Sequence, residues 1–392
     1  GQNEPASSPP EIQPRPAGLP AEGSKQPMTG DESNGPAVPA SSTTTPETLN
    51  MELPQAFAWI EDRPFFQAGL QGYSDAAMRI IARRHGSPYC VTEAMPDRFL
   101  VDGGKGLKDA ELDPEDHPIA GQLMGSDPHN MAAGAKVLLE LGYDVIDLNM
   151  ACPVKRLRGC ARGGHLLHKP EKASEIIQEV SQAVGGRVPL TIKLRRGFDD
   201  EQDSEKNFFR IIEETIDQGF FAAVVHGRTV RQKYEGPSRW NFLSQLTQRY
   251  PGFRIMGSGD IFTPGSVFEM IARTGVDAVS VARGAIGNPW IFRQASLLLE
   301  GKAPRPPSLE EQGSVLREHF ELCSRFHTER QTQKLMRKFG IKFSIHHPEP
   351  GNAEKAFISC RSLSDWWDVF KRLYCDTEVA VGEIPSVDSP LK

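Results

Sequence analysis

Cysteine is scarce in this chain, and what there is lies scattered at Cys90, Cys152, Cys160, Cys323, Cys360 and Cys375. No CxxC pair occurs, and the spacings suggest neither a disulfide framework nor a zinc site. Reduced thiols, a cytoplasmic protein and no bound metal are the expectation. Long apolar runs are also lacking: none approaches the roughly 20 residues that a membrane helix needs, so no membrane association is expected. The start of the chain shows no charged segment followed by an apolar stretch, as a signal peptide would, and its acidity argues against an organelle transit peptide. Missing too is a GxGxxG after the first apolar segment, the phosphate-binding mark of an open doubly wound sheet.

What is present is a 392-residue chain with 38% hydrophobic residues, a length that suits one large domain with a smaller appendage. Residues 1–53 hold ten of the 31 prolines and a Ser/Thr-rich tract, PASSTTTP. Such a composition buries too little apolar surface to offset the entropy of ordering, and a disordered tail is expected there. The net charge of −6 divides unevenly: residues 1–53 carry −5, residues 376–392 carry −3, and residues 54–375 carry +2. A slightly basic body between acidic ends is compatible with a polyanionic partner.

From residue 64 onward, short apolar segments alternate with longer stretches of helical period. Strands are expected at 65–70, 90–95, 119–125, 144–150, 189–195, 221–228, 254–260 and 278–284. Helix-sized amphipathic stretches lie between most of them, at 127–142, 171–186 and 204–219 among others. Apolar strands alternating with helices imply parallel strands covered by helices, and eight such units predict an α/β fold of the (β/α)8 TIM-barrel type over 54–304.

Catalytic groups of such barrels stand at the C-terminal ends of the strands. Read in order, those ends carry Gly69 and Leu70, Glu93, Gln122, Asn149 with Cys152, Lys193 with Arg195, His226 with Arg228, Gly257-Ser258-Gly259-Asp260, and Ala282-Arg283-Gly284. Any one of these is commonly an ordinary solvated strand end; the signal is that one ring of loops collects a thiol, a lysine, a histidine, several arginines and two glycine-rich turns. The turns after strands seven and eight often bind phosphate in this architecture, so a phosphorylated ligand is expected on that side. Lys193 ends an otherwise apolar strand and could stabilise negative charge there. The loop after strand four, ACPVKRLRGCARGG, offers two thiols: Cys152, stiffened by Pro153, and Cys160. Lys155, Arg156, Arg158 and Arg162 surround them with positive charge. A thiol there could act as nucleophile or as proton donor.

Six stretches in order and at consistent spacing resemble the tRNA-dihydrouridine synthase family: LNMACPVKRLRGCARGGHLL, IKLRRG, VHGRTVRQKYEG, GSGDIFTP, VARGAIGNPWIF and LMRKF. The likeness spans roughly residues 63–345. It implies an FMN-binding (β/α)8 barrel followed by a helical domain, and reduction of the C5–C6 double bond of a uridine in tRNA with electrons from NADPH. The resemblance places the catalytic cysteine on Cys152, flavin contacts on Lys193 and His226, and a ring contact on Gln122. It puts the ribityl-phosphate end on Ser258, Gly259, Asp260, Ala282 and Arg283, and a first-strand contact on Gly69, Leu70 and Gln71. Asn149, Arg195 and Arg228 at the same strand ends are expected to meet the substrate. The chain departs from the family pattern in having Gly69-Leu70 for Pro-Met, Ala151 for Gly, Ser258 for Asn and Ala282 for Gly. A small-molecule FMN reductase of the dihydroorotate or dihydropyrimidine type, and an RNA-binding barrel without redox activity, are the competing readings.

Residues 305–375 do not continue the barrel pattern. SLEEQGSVLREHFELCSRFHTERQTQKLMRKFGIKF has helical period with Ser308 as a candidate N-cap, and a helical tRNA-binding domain is expected there. Between Arg325 and Lys342 six Lys/Arg face a single Glu, and Arg330, Lys334, Arg337 and Lys338 share one helical face that could track phosphates.

Overall fold

Eight of the apolar segments become the staves of a barrel. The computed structural model describes residues 53–154 and 161–375. Its strands are β1 (Phe65–Gln67), β2 (Cys90–Val91), β3 (Met95–Pro96), β4 (Ile119–Met124), β5 (Val145–Met150), β6 (Leu190–Arg195), β7 (Ala222–His226), β8 (Arg254–Ser258) and β9 (Ala278–Val281). All pairings are parallel, β1 lies between β2 and β9, and β2 pairs onward with β4, so the sheet closes on itself. The two-residue β3 extends the same wall, pairing with the end of β4. Between β2 and β3 the Thr92 side chain substitutes for the ladder, its Oγ1 accepting from the Gln122 N–H at 3.0 Å.

Every expected strand forms, and each ends one to four residues earlier than the apolar runs suggested, except β5 and β6. On β1 the last bond across to β9 is Ala68 N–H to Val281 O, and Gly69 onward turns into the mouth. The helices are α1 (Ala76–Arg84), α2 (Asp97–Val101), α3 (Lys105–Asp109), α4 (Pro128–Glu140), α5 (Pro170–Val184), α6 (Gln202–Asp217), α7 (Trp240–Arg249), α8 (Pro264–Thr274) and α9 (Trp290–Leu299). The expected tail at 1–53, Leu53 apart, and the acidic end at 376–392 fall outside the described residues, as do Lys155, Arg156, Arg158 and Cys160.

The two-residue period sets what each strand offers to either side. On β5, Ile146, Leu148 and Met150 join the apolar belt beneath the helices, whereas Val145, Asp147 and Asn149 face the axis. At the N-terminal end of the barrel the inward residues are apolar, and a 3₁₀ turn (Gln55–Ile60) closes that end. Phe57 stacks on Phe221 at 4.0 Å between ring centroids, and Trp59 stacks on Tyr89 at 5.2 Å. Towards the C-terminal end the same alternation delivers Gln122, Asp147, Thr191, Lys193 and Ser280.

Past the barrel come α10 (Leu309–Phe326), α11 (Glu329–Phe343), α12 (Pro350–Ser359) and α13 (Leu363–Tyr374). The long helical stretch read from the sequence is thus two helices, broken at His327-Thr328. Ser308 caps the first and Thr328 the second, each in a reciprocal capping box with Glu311 and Gln331. Their apolar faces share one core with the barrel: Met78 and Ile81 of α1 and Trp290 of α9 pack with Phe320, Met336, Phe339 and Trp366.

Candidate functional site

At the C-terminal ends of the strands opens a cavity of about 790 Å³. Of the fifteen site residues expected from the sequence, fourteen line it: Gly69, Leu70, Gln71, Gln122, Asn149, Cys152, Lys193, Arg195, His226, Ser258, Gly259, Asp260, Ala282 and Arg283. Arg228 does not. Its buried guanidinium is held by the Gly236 carbonyl and by Asp260 (2.7 Å), and its Nη1 meets His226 Nε2 at 3.2 Å. It acts on its neighbours within the wall and does not reach the cavity.

The turn after β5 presents Cys152, which is partly exposed. Asn149 Oδ1 accepts from the backbone N–H groups of Ala151 and Cys152, both at 3.0 Å. The Cys152 carbonyl in turn accepts from Gly164 N–H at 3.0 Å. The glycines of this loop have a steric cause: Gly163 has φ +57°, and a Cβ there would stand 3.0 Å from Cys152 Cβ. Arg195 ties the same turn down, donating to the Ala151 carbonyl (3.0 Å) and to the carbonyls of Thr229 (2.9 Å) and Lys233 (2.6 Å).

Beneath the turn lies a polar layer. Asn149 Nδ2 donates to Gln122 Oε1 (2.9 Å), Gln122 Nε2 donates to Asp147 Oδ2 (2.8 Å), and Thr191 donates to Asp147 Oδ1 (2.6 Å). Burial pushes the Asp147 carboxyl up, opposed by the hydrogen bonds from Thr191 and Gln122 and by the charge of Lys193. Burial likewise pulls the Lys193 ammonium down, against the attraction of Asp147. Lys193 has no hydrogen-bond partner among the described residues, so its donors remain available to a ligand.

His226 is neutral. Burial first, then the cations Arg195, Lys193, Arg228 and Arg283, pushes it down to about 2. Because an arginine only donates, the contact from Arg228 leaves Nε2 as the acceptor and places the ring proton on Nδ1.

The ends of β8 and β9 form a different surface. The backbone N–H groups of Asp260, Ala282, Arg283 and Gly284 have no acceptor among the described residues. Gly259 (φ +111°) and Asp260 (φ +60°) both take left-handed backbone, and a Cβ on Gly259 would come within 2.5 Å of Ser238 Oγ. The Asp260 carboxylate is drawn onto Arg228 and the Ser238 N–H (2.8 Å). Arg283 lies 4.5 Å from the centroid of Tyr234 and 5.1 Å from that of Phe262. Consecutive unpartnered N–H groups beside a guanidinium suit a phosphate.

The opposite wall joins the barrel to the C-terminal helices. Asp75 caps α1 through Oδ1 and meets His327 Nε2 through Oδ2 at 2.6 Å. Lys338 donates to the Gly72 carbonyl, and its Nζ lies 4.2 Å from the Tyr73 ring centroid. Arg325 pairs with Asp113, and Arg337 donates to the Ile358 carbonyl at 2.7 Å. Half of the six-cation run is therefore engaged within the fold, which corrects the picture of one free stripe; Arg330, Lys334 and Lys342 remain exposed. Phe326, His327 and Gln331 reach the cavity, and sequence reasoning assigned none of them to the site. Asp75 and Asp147 were missed as well. The Thr328-x-x-Gln331 capping signature could have located the turn that brings His327 to the mouth.

No helix among the described residues is long and apolar enough to cross a membrane, and no group of three or more His, Cys, Asp or Glu among them is placed to hold a metal ion. Residues 66–354 match the family model of dihydrouridine synthase (Dus). The tRNA-dihydrouridine synthase B of Xanthomonas axonopodis pv. citri (strain 306) is 30% identical over 315 residues, which is 80% of this chain and 93% of that protein. The tRNA-dihydrouridine synthase B of Pseudomonas aeruginosa is 33% identical over 273 residues, 69% of this chain and 80% of that one.

Proposed function

The chain belongs to the dihydrouridine synthase family, and from that premise we propose that it reduces the C5–C6 double bond of a uridine in tRNA, with FMN bound in the mouth of the barrel and NAD(P)H as the electron source. The observation that carries this reading is the unpartnered N–H cradle at the ends of β8 and β9, set in the same cavity as the Cys152 thiol and the Lys193 ammonium. The residues present fit the flavin. Gly259, Asp260, Ala282, Arg283 and Gly284 would hold its phosphate, and Lys193, His226 and Gln122 its ring system, with Gly69, Leu70 and Gln71 bounding the β1 side. Bound there and reduced by NAD(P)H, the flavin would supply a hydride to C6 of the uracil.

The chain's own residues account for the rest. Cys152 donates a proton to C5, a general-acid role for which its capped turn gives it a fixed direction. Lys193 offers donors and positive charge where negative charge accumulates, and the neutral His226 offers its Nδ1 proton without adding further charge. Arg195 holds the Cys152 turn and lines the cavity beside it. The reach of Phe326, His327 and Gln331 into the cavity supports a substrate large enough to touch both the barrel and the C-terminal helices, as an extruded nucleotide of tRNA would. Exposed Arg330 and Lys334 on α11 extend that surface for phosphates. The reading places the protein in the cytoplasm, with tRNA as its macromolecular partner.

Mapping dihydrouridine in tRNA from cells lacking the protein tests the proposal: at least one position should carry uridine instead, and should regain dihydrouridine when the gene is restored. A fully modified tRNA pool, together with turnover of free uridine or orotate as fast as of transcript tRNA, would favour a small-molecule reductase.

A further inference from the structure

The orientation of the two amides under the Cys152 turn is settled by their neighbours. Backbone N–H groups only donate, so the atom of Asn149 facing Ala151 and Cys152 must be its oxygen, and its Nδ2 must point away. Nδ2 then requires an acceptor, which fixes Gln122 with Oε1 towards Asn149 and Nε2 towards Asp147. Nε2 in turn requires an acceptor at Asp147 Oδ2, and Thr191 supplies a donor to the other carboxylate oxygen. The chain runs one way, from β5 to β4 and back, from a carboxylate 3% exposed to the backbone of the thiol-bearing residue. The turn's N–H groups set the order from above, and Asp147 anchors it from below: with a hydrophobic residue at 147, Gln122 Nε2 would lose its acceptor and Gln122 could swing away from Asn149 Nδ2. A buried carboxylate is costly to keep in a barrel, and here both of its oxygens are engaged in holding that order.

We propose that Asp147 is a positioning residue for Cys152: its carboxylate orders the Gln122–Asn149 relay that fixes the turn presenting the thiol. The inference deepens the proposed function, since it rests on Cys152 as the proton donor, but its structural half can be measured without any reaction.

The test is amide hydrogen exchange in the purified full chain, read on a peptide containing Ala151 and Cys152 and on one from β7 as internal control. Asp147→Leu should speed exchange at the two capped amides roughly tenfold, the size expected for losing one hydrogen bond's worth of fixation, and leave β7 unchanged. Asp147→Asn keeps an oxygen for Gln122 and an amide for Thr191, so it should restore protection to within about threefold of the parent. In reaction, Asp147→Leu should slow reoxidation of the reduced protein by tRNA more than it slows reduction by NADPH, and Asp147→Asn should recover most of the loss. Should Asp147→Leu not fold, Thr191→Val removes one donor from the same carboxylate and should give a smaller rise confined to the same two amides.

Unchanged protection of Ala151 and Cys152 in these variants overturns the proposal. So does a rise shared equally by β7, which would mark Asp147 as a residue of general stability. Absence of tRNA-dependent reoxidation in the parent overturns the functional reading alone; the exchange ratio still decides what Asp147 does.

Discussion

The floor and the mouth of this barrel are built from the same strands by the same alternation, yet they differ in what is left unsatisfied. At the floor, Phe57, Phe66, Val91, Ala120, Val145, Val224 and Met256 pack with no side-chain polar group to satisfy, and the one indole N–H among them, that of Trp59, is met by the Ala56 carbonyl at 2.9 Å. Two residues further along β4, β5 and β7 stand Gln122, Asp147 and His226, with Lys193 beside them on β6, each buried or half-buried and each requiring a hydrogen bond. The described residues meet that need for Gln122 and Asp147 but leave Lys193 and four backbone N–H groups without acceptors. Unsatisfied donors in a cavity mark where a ligand completes the structure, so the barrel carries its stability at one end and its chemistry at the other.

Substitutions should separate the two ends. The largest effect belongs to the mouth: Cys152→Ala should slow tRNA-dependent reoxidation of the reduced protein about 10²–10⁴-fold in single-turnover measurements, with the melting temperature nearly unchanged. Cys160→Ala should stay within a few-fold, and the opposite ranking would move the proton donor to Cys160. The floor should show the converse. Phe57→Ala removes a fully buried ring and should cost about 3–5 kcal/mol in denaturant unfolding, with the reaction at low temperature little altered. Arg283→Ala, at the phosphate end, should weaken flavin retention by about 1.5–3 kcal/mol, seen as flavin lost on dilution with the fold intact.

Acid should act through the mouth. His226 has its pKa lowered in the fold to about 2 from an unfolded value near 6.5, so the unfolded chain takes up the proton first. The stability this neutral histidine permits is complete above pH 6.5 and declines as pH falls from there towards 2. His319, lowered by burial to about 4, adds to the same slope. The melting temperature of His226→Gln should therefore fall less steeply between pH 6.5 and 4 than that of the parent; parallel curves would contradict the neutral assignment. The smallest effect is expected from removing residues 1–52, whose proline-rich composition carries little apolar surface: melting temperature and rate with tRNA should barely change.

The floor was the more legible end. Apolar periodicity located all eight barrel strands and helices α4, α5 and α6 to within about four residues at each end, because burial on one side of an element is written into local order. The strand ends of the mouth were also found, since polar and glycine residues break the apolar runs there. What those residues bond to was not. Arg228 looked like its neighbours and proved to be a clamp on Asp260, 32 positions away; Lys338 reaches Gly72 across 266. Asp147 sat inside an apolar run and passed as part of it, and its partners Gln122 and Thr191 lie 25 and 44 positions distant. Such pairings depend on barrel register, which composition and spacing do not encode.

The most direct test of the account is an anaerobic single-turnover experiment in which the NADPH-reduced protein is mixed with unmodified transcript tRNA, and separately with free uridine and orotate. Rapid reoxidation with tRNA, one dihydrouridine formed per flavin oxidised, and slow reaction with the free pyrimidines is the predicted result. Equal rates with all three, or reoxidation without dihydrouridine in the tRNA, would contradict it.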